Sequence, residues 1–411
     1  MPRSFLPALT LPLVFVVAVS AQEWTSWRGP ARDGVVPAAN APKAWPAAWK
    51  EGWRIEVGEG YSTPVVGGGR LFVHSRRDPH EIVTAVDLAS GKQAWQQSYE
   101  AQFTKNQYAT KMAKGPNATP LLSGGRLFTL GSTGNVIAWD AATGKRVWSK
   151  DFSDTVDTSK LFCGTSASPL LINGVVVVQI GSDVAGGQIV ALDPATGVAR
   201  WSWKGPGPGY ASPVVIDAAG TRQIVTLTDR SVIGIDAATG RQLWTTPFPD
   251  EWNENIATPV WTGTHLVVSG PRQGTHGYTL TQSAGAWTVT QAWRNAQVTM
   301  YMSSPVFADG VIYGHSIRNK GQFVALDPST GVARWTTSGR TADHASLQLT
   351  PSHLVFLTSD GKMIVAKRNT AEFTVEKEYD VAAASTYASP VFLGGDLIVR
   401  DATSIRKLSG L

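Results

Sequence analysis

A single cysteine, Cys163, serves a chain of 411 residues. No intrachain disulfide can form, so stability must come from a large core and not from cross-links. Cys163 lies far from the amino terminus and cannot be a lipid-anchor cysteine. One thiol is also no zinc site, and a small apolar packing role is expected. Charge is scarce too: charged residues make up 16% of the chain, and the formal net charge is +5. The basic residues are scattered, which excludes the concentrated basic face that nucleic-acid binding uses. The 7 histidines show no paired metal spacing. Nucleophile elbow, phosphate loop and dinucleotide fingerprint are all missing. After residue 21 no run of about 18 apolar residues occurs, so no transmembrane helix is expected.

Residues 1–21 read as a signal peptide. Arg3 supplies a short positive region, Phe5 to Val19 is apolar but broken by Pro7 and Pro12, and Val19-Ser20-Ala21 offers a small-residue cleavage pattern. Removing Arg3 with this leader lowers the net charge by one. Export with so little cysteine points to a bacterial envelope protein, periplasmic or secreted.

What the chain has in abundance is tryptophan, with 16 copies, together with 41 glycines and 24 prolines. Many turns and few charges fit a β-rich globular protein. A Ser/Thr-Pro pair recurs at Pro64, Pro120, Pro169, Pro213, Pro259, Pro305, Pro351 and Pro390, at intervals of 39 to 56 residues. Eight units of that length predict an eight-bladed β-propeller of four-stranded antiparallel blades. Proline lacks an N–H and is tolerated where an edge strand begins.

Within the units a strand ends in Asp, a Ser/Thr-Gly turn follows, and a Trp comes eight residues after the Asp. The pairs are Asp87/Trp95, Asp140/Trp148, Asp193/Trp201, Asp236/Trp244 and Asp327/Trp335. The Asp can accept turn amides and the Gly permits the left-handed backbone that closes the hairpin. The Trp offers a flat apolar body with one donor, suited to docking one blade on the next while its N–H finds a carbonyl. Two nearly identical nonapeptides, DPATGVARW at 193–201 and DPSTGVARW at 327–335, are therefore read as joints of a ring, not duplicated sites. Unit five lacks the Asp turn, with Trp293 standing in, and unit seven has no Trp. Unit eight lacks a fourth strand, which GWRIEV at 52–57 can supply, closing the ring by joining the termini. The expected organisation is a leader at 1–21, an N-terminal extension at 22–52 and the propeller at 53–411.

These D-x-x-[ST]-G-x-x-x-W repeats with Ser/Thr-Pro strands resemble the pyrroloquinoline-quinone-like propeller repeat across about 53–411. The opening WTSWRGPARDG at 24–34 is similar to the leader of secreted bacterial proteins of that type. The superfamily includes quinoprotein alcohol dehydrogenases and the non-catalytic barrel-assembly scaffold BamB, so the resemblance implies a fold and leaves function open. In the dehydrogenases it implies a quinone in the funnel, calcium held by carboxylates and an amide, an aspartate base, and usually an adjacent-cysteine disulfide. This chain cannot form that disulfide.

The residues two to five positions before each repeat proline are expected at one mouth of the channel. Only Glu59 and Glu254 among them are carboxylates, on opposite blades, which suits a calcium site poorly; Glu254 with Asn255 is the best nucleus for a quinone or metal ligand set. Tyr61, Tyr210 and Tyr387 share one slot, and Tyr301 is one residue off it. With Asn117, Asn255 and Gln348 they form a candidate binding surface for a small molecule or peptide; packing as a channel plug is the plainer alternative. Two irregular loops, 96–117 with Phe103, Lys105, Tyr108, Lys111 and Lys114, and 149–167, are candidate partner sites.

The resulting expectation is an exported, non-catalytic binding or scaffolding propeller with no cofactor. Its partner would be an envelope protein or a small ligand. The alternatives are a dehydrogenase using pyrroloquinoline quinone and Ca2+ in the funnel, on alcohols or sugars, and a carbohydrate- or polymer-binding propeller.

Overall fold

The structure, a computed structural model, describes residues 23–410 apart from 105, 110, 111, 160 and 184. The expected leader at 1–21 and the loop lysines Lys105 and Lys111 lie outside the described residues. Those that are described form eight four-stranded antiparallel sheets, the blades of a β-propeller. The first blade runs Val65–Gly67, Arg70–Arg77, His80–Asp87 and Gln93–Glu100 in chain order. The eighth breaks chain order: Trp49–Glu56 lies beside Ser404–Gly410, then Asp396–Arg400 and Val391–Leu393. An early strand thus completes the last blade, and it begins a few residues ahead of the expected GWRIEV segment.

The core sits between blades. Val65, Phe72, Val83, Ala85 and Trp95 of the first blade, for example, pack with Leu127, Ile137 and Trp139 of the second. Each Asp turn forms from its own residues: Asp193 Oδ1 accepts the amides of Ala195 and Thr196, and Asp327 Oδ1 those of Ser329 and Thr330. In the two nonapeptides an Arg adds a second clamp, Arg200 on Asp193 Oδ2 at 2.6 Å and Arg334 on Asp327 Oδ2 at 2.9 Å.

The tryptophans then reach across. Trp95 Nε1 donates to Ala141 O at 3.0 Å and Trp148 Nε1 to Pro194 O at 3.0 Å, each in the next blade's turn. The turn glycine is the shelf: a Cβ at Gly144 or Gly197 would come within 2.7 Å of the indole above it. Trp201 lies on Gly240 in the same way, Trp293 donates to Pro328 O at 2.9 Å, and Trp335 to Asn369 O at 3.3 Å. Trp244 departs from the pattern. Its neighbour is the blade without an Asp turn, so its N–H goes to Gln223 Oε1 of its own blade at 2.6 Å. Across the seam Trp53 covers Gly91 and donates to Leu88 O at 3.1 Å.

Residues 23–41 cap one end of the channel. Trp24 exchanges two backbone hydrogen bonds with Val66 of the first blade, and the amide of Leu122 in the second donates to Thr25 O. Arg32 binds Pro169 O and Pro213 O of the third and fourth blades, and Arg28 binds Pro305 O of the sixth. Gly34 and Val36 bridge Leu349 of the seventh, and Asn40 bonds Phe392 O of the eighth. The segment is irregular, yet it ties seven of the eight blades together.

The seventh blade is shifted relative to the repeat reading. Its first strand, Ala345–Leu349, precedes Pro351 instead of following it. Thr350 belongs to the hairpin after that strand, where its hydroxyl accepts the amide of His353 at 3.0 Å. The cap meets Leu349 where it meets Val66 in the first blade, which moves the register by four residues.

Candidate functional site

Seven of the eight Ser/Thr residues before the repeat prolines are links in a ring around the channel that is open at the seventh blade. The Ser389 amide donates to Thr63 Oγ1, Thr63 to Thr119 Oγ1, and Thr119 to Ser168 Oγ, at 3.0 to 3.1 Å. Ser168 continues to Ser212 Oγ, Ser212 to Thr258 Oγ1, and Thr258 to Ser304 Oγ, at 2.9 to 3.2 Å. Proline follows because the strand starts there, and the hydroxyl precedes it because the neighbouring blade needs an acceptor. The series stops at the seventh blade, where the register shift puts Ser346 in the slot expected for Thr350 and Ser346 Oγ has no partner among the described residues. That role was legible in the eightfold Ser/Thr, though only the proline had suggested a function.

The ring is the waist of a cup of about 150 Å3. Thr63, Thr119, Ser168, Ser212, Thr258 and Ser304 line it, with Trp27 of the capping segment beneath. The guanidinium carbons of Arg28 and Arg32 lie 5.3 and 5.9 Å from the centre of the Trp27 ring. Burial brings Arg28 down to about 10, against the pull of Asp33, and Arg32 to about 9 with further lowering from Arg28. Both therefore remain cationic at neutral pH.

Above the waist stand Tyr61, Tyr210, Tyr387, Asn117 and His344 with Met112, Phe162, Cys163 and Met302. Tyr61 and Tyr387 meet at 4.8 Å between ring centres, and His344 stacks on Tyr387 at 5.0 Å. Burial pushes the Tyr61 phenol up to about 12 and raises Tyr210 further, so both are neutral donors at any physiological pH. Tyr210 Oη accepts the Phe162 amide at 2.7 Å, which fixes the 149–167 loop over the cup. Cys163 thus lies in the cup wall. A second depression of about 380 Å3 adjoins the first, lined by Tyr108, Tyr301, Met302 and Ile317 among others.

Four of the expected mouth residues, Tyr61, Asn117, Tyr210 and Tyr387, thus come together in the cup, while Tyr301 lies beside it. Asn255 and Gln348 are elsewhere. Asn255 is fully buried, its Nδ2 donating to Thr228 O and Phe248 O at 2.9 Å and more weakly to Asp229 O. Gln348 sits inside a strand and donates to Pro390 O at 2.8 Å; His344, four residues earlier, occupies the slot that tyrosine holds in other blades. Burial pushes the Glu254 carboxyl up, although the Tyr301 phenol and the Arg272 guanidinium both hold it down. Glu59 accepts the Lys114 amide at 3.0 Å.

Among the described residues no carboxylate lines the cup, and no three His, Cys, Asp or Glu side chains gather as metal ligands. A calcium ion needs six or more oxygens; Asn255 Oδ1 is buried without a partner among the described residues, but neither Asn255 nor Glu254 lines the cup. The residues present do not fit a calcium-bound quinone.

The 96–117 loop is anchored and not merely solvated. Arg76 donates twice to Ala101 O, and Phe103 packs 5.8 Å from that guanidinium. Lys114 pairs with Asp78. At the same end of the channel Tyr108 is 78% exposed and Trp252 is 67% exposed. Arg272 stacks on Trp252 at 3.7 Å and bonds Asp250 Oδ1 at 2.7 Å, which holds the indole face outward. Trp27, His344 and Trp252 were not singled out from sequence. The second Trp of the 24–34 motif was the available signal for Trp27.

The sequence model of the family described as outer membrane protein assembly factor BamB matches residues 79–337, more than half of the chain. A 1-butanol dehydrogenase (cytochrome c) of Thauera butanivorans is 32% identical over 160 residues, 38% of this chain; the chain spans only 22% of that enzyme's length. Outer membrane protein assembly factor BamB of Yersinia pestis is 24% identical over 296 residues, 69% of this chain and 71% of that protein. The crystal structure of BamB from Moraxella catarrhalis superposes with a TM-score of 0.60 at 16% identity, covering 88% of this chain and 98% of that one.

Proposed function

The chain belongs to the outer membrane protein assembly factor BamB family, and from that membership we propose that it is an exported, non-catalytic binding or scaffolding module of the bacterial cell envelope. The cup wall carries this reading: hydroxyls, phenols and an amide line it together with Met112, Phe162, Ile256 and Met302, and among the described residues no carboxylate is there to hold a cation or act as a base. Glu254 is held by Tyr301 and Arg272, and Asn255 Nδ2 by three backbone carbonyls, both away from the cup. The match to 1-butanol dehydrogenase supports the alternative of a quinone-dependent alcohol or sugar dehydrogenase, but over a minor part of that enzyme.

A protein partner would dock on the mouth, where exposed Tyr108 and Trp252 stand on anchored loops. Aromatic side chains held rigid by a scaffold make good contact surfaces, since little entropy is lost on binding. Among the described residues no helix is long and apolar enough to cross a membrane, in keeping with a periplasmic or secreted place.

A photo-crosslinking residue at position 108 or 252 tests this in cells, with exposed Val147 on an outer strand as the control position. One envelope protein joined to 108 and 252 but not to 147 is the expected result. Absence of any adduct at the mouth, or equal labelling at 147, would contradict it.

A further inference from the structure

The cup holds hydrogen-bonding groups that the protein leaves unused. His344 is 5% exposed, with Nδ1 3.0 Å from Ser303 Oγ and with Nε2 unpartnered. Ser303 Oγ already accepts the Ala345 amide at 3.2 Å and lies 3.3 Å from His315 Nδ1. Thr341 Oγ1 lies 3.4 Å from His315 Nε2. Ser303 Oγ has one hydrogen to share between two imidazoles, and a neutral His344 ring offers Nε2 as acceptor or donor according to which nitrogen carries its hydrogen.

Burial keeps both imidazoles neutral, His315 down to about 4 and His344 to about 3. Asn117 supplies an acceptor: its Nδ2 faces Cys163 O at 3.4 Å while its buried Oδ1 has no partner. Donors come from the waist. Each of the six hydroxyls there accepts an amide from the neighbouring blade, and none donates to a described protein acceptor. Beneath them is the indole of Trp27.

We propose that this cup binds a neutral polyhydroxylated six-membered ring, a pyranose of a sugar or of a saccharide terminus, stacked over Trp27. A void near 150 Å3 holds a single six-membered ring. Sugar hydroxyls donate to Asn117 Oδ1, pair with His344 Nε2 as donor or acceptor, and accept from the Ser and Thr hydroxyls. An apolar ring would leave both buried polar atoms unpaired. An anion would face the Asn117 lone pairs. Only a ligand with both donors and acceptors satisfies the set. The inference goes beyond partner docking and does not depend on it, because Tyr108 and Trp252 lie outside the cup.

Ligand-observed NMR and calorimetry on the full chain test it, with methyl glucopyranoside and N-acetylglucosamine as probes. Sorbitol, benzoate and pyrroloquinoline quinone serve as acyclic, flat anionic and quinone controls. Saturable binding of a pyranose is expected at about 10 mM or below, a concentration that fills a site of millimolar affinity. Asn117→Leu and His344→Phe, with unfolding temperature measured in parallel, should each weaken it about tenfold or more. Asn117→Ala makes the same test with a smaller change if the leucine variant does not fold. Three results would overturn the proposal: no saturation by either pyranose, undiminished binding in the folded Asn117 variant, or preference for benzoate or the quinone.

Discussion

The amide of Ser389 in the last blade donates to the hydroxyl of Thr63 in the first at 3.1 Å, although 326 positions separate them in the chain. This bond carries the hydroxyl ring across the seam. Thr63→Val would leave a buried N–H without an acceptor, and a loss of about 1–3 kcal/mol is expected in a denaturant titration. Thr63→Ser, which restores the acceptor, should recover most of it. Equal stability of the valine variant and the parent would refute the ring's structural role.

Trp53 closes the same seam from the outside. Its indole covers Gly91 and its N–H reaches Leu88 O. Trp53→Ala should cost about 3 kcal/mol, the scale for losing a packed aromatic, with a similar loss for Trp201→Ala and Trp335→Ala. Gly197→Ala should also destabilise, because the new methyl would press on Trp148 at a position where φ is 70°. Melting curves of the four variants check this; a Trp53 variant as stable as the parent would mean that strand pairing alone closes the ring.

Acid should weaken the fold in two overlapping windows. His344 is neutral in the fold down to about 3, held there by burial and by His315. The unfolded chain protonates it near 6.5. Below that value the unfolded state binds the extra proton, so stability falls as pH drops from about 6.5 towards 3. Glu81 acts lower. Burial alone would raise its carboxyl, but hydrogen bonds from His74, Tyr99 and the Ser132 amide bring it down to about 2. Its contribution is complete above its unfolded value of about 4.3 and disappears as pH falls through about 2. Full burial makes that contribution on the order of 3 kcal/mol. His344→Phe should shrink the upper window, in which the buried His315, lowered to about 4, also takes part, and leave the lower one. Glu81→Gln should remove the lower window at the expense of stability at neutral pH. Stability–pH profiles from urea titrations separate the two, and identical profiles for both variants would refute the assignment.

Much of this was legible because the repeat signals are local. Asp to Trp in eight residues encodes a turn and a dock together, and Trp293 showed through even where unit five lost its Asp. The missing fourth strand of unit eight likewise pointed to 52–57. The capping segment was not legible, since its contacts follow the ring and not a strand or helix period. Thr350-Pro351 mimicked a repeat start inside a hairpin, so Gln348 was placed at the mouth and His344 was missed. The three carbonyls of Thr228, Asp229 and Phe248 that hold Asn255 Nδ2 were not legible either, because they converge only through the fold.

The most direct test of a non-catalytic role is titration of the purified chain with pyrroloquinoline quinone and Ca2+, followed by a dye-linked oxidation assay over alcohols and sugars. Neither a stoichiometric complex nor turnover is expected, since the cup wall has no carboxylate among the described residues. Tight one-to-one quinone binding accompanied by substrate oxidation would contradict the scaffold reading and establish the chain as a dehydrogenase.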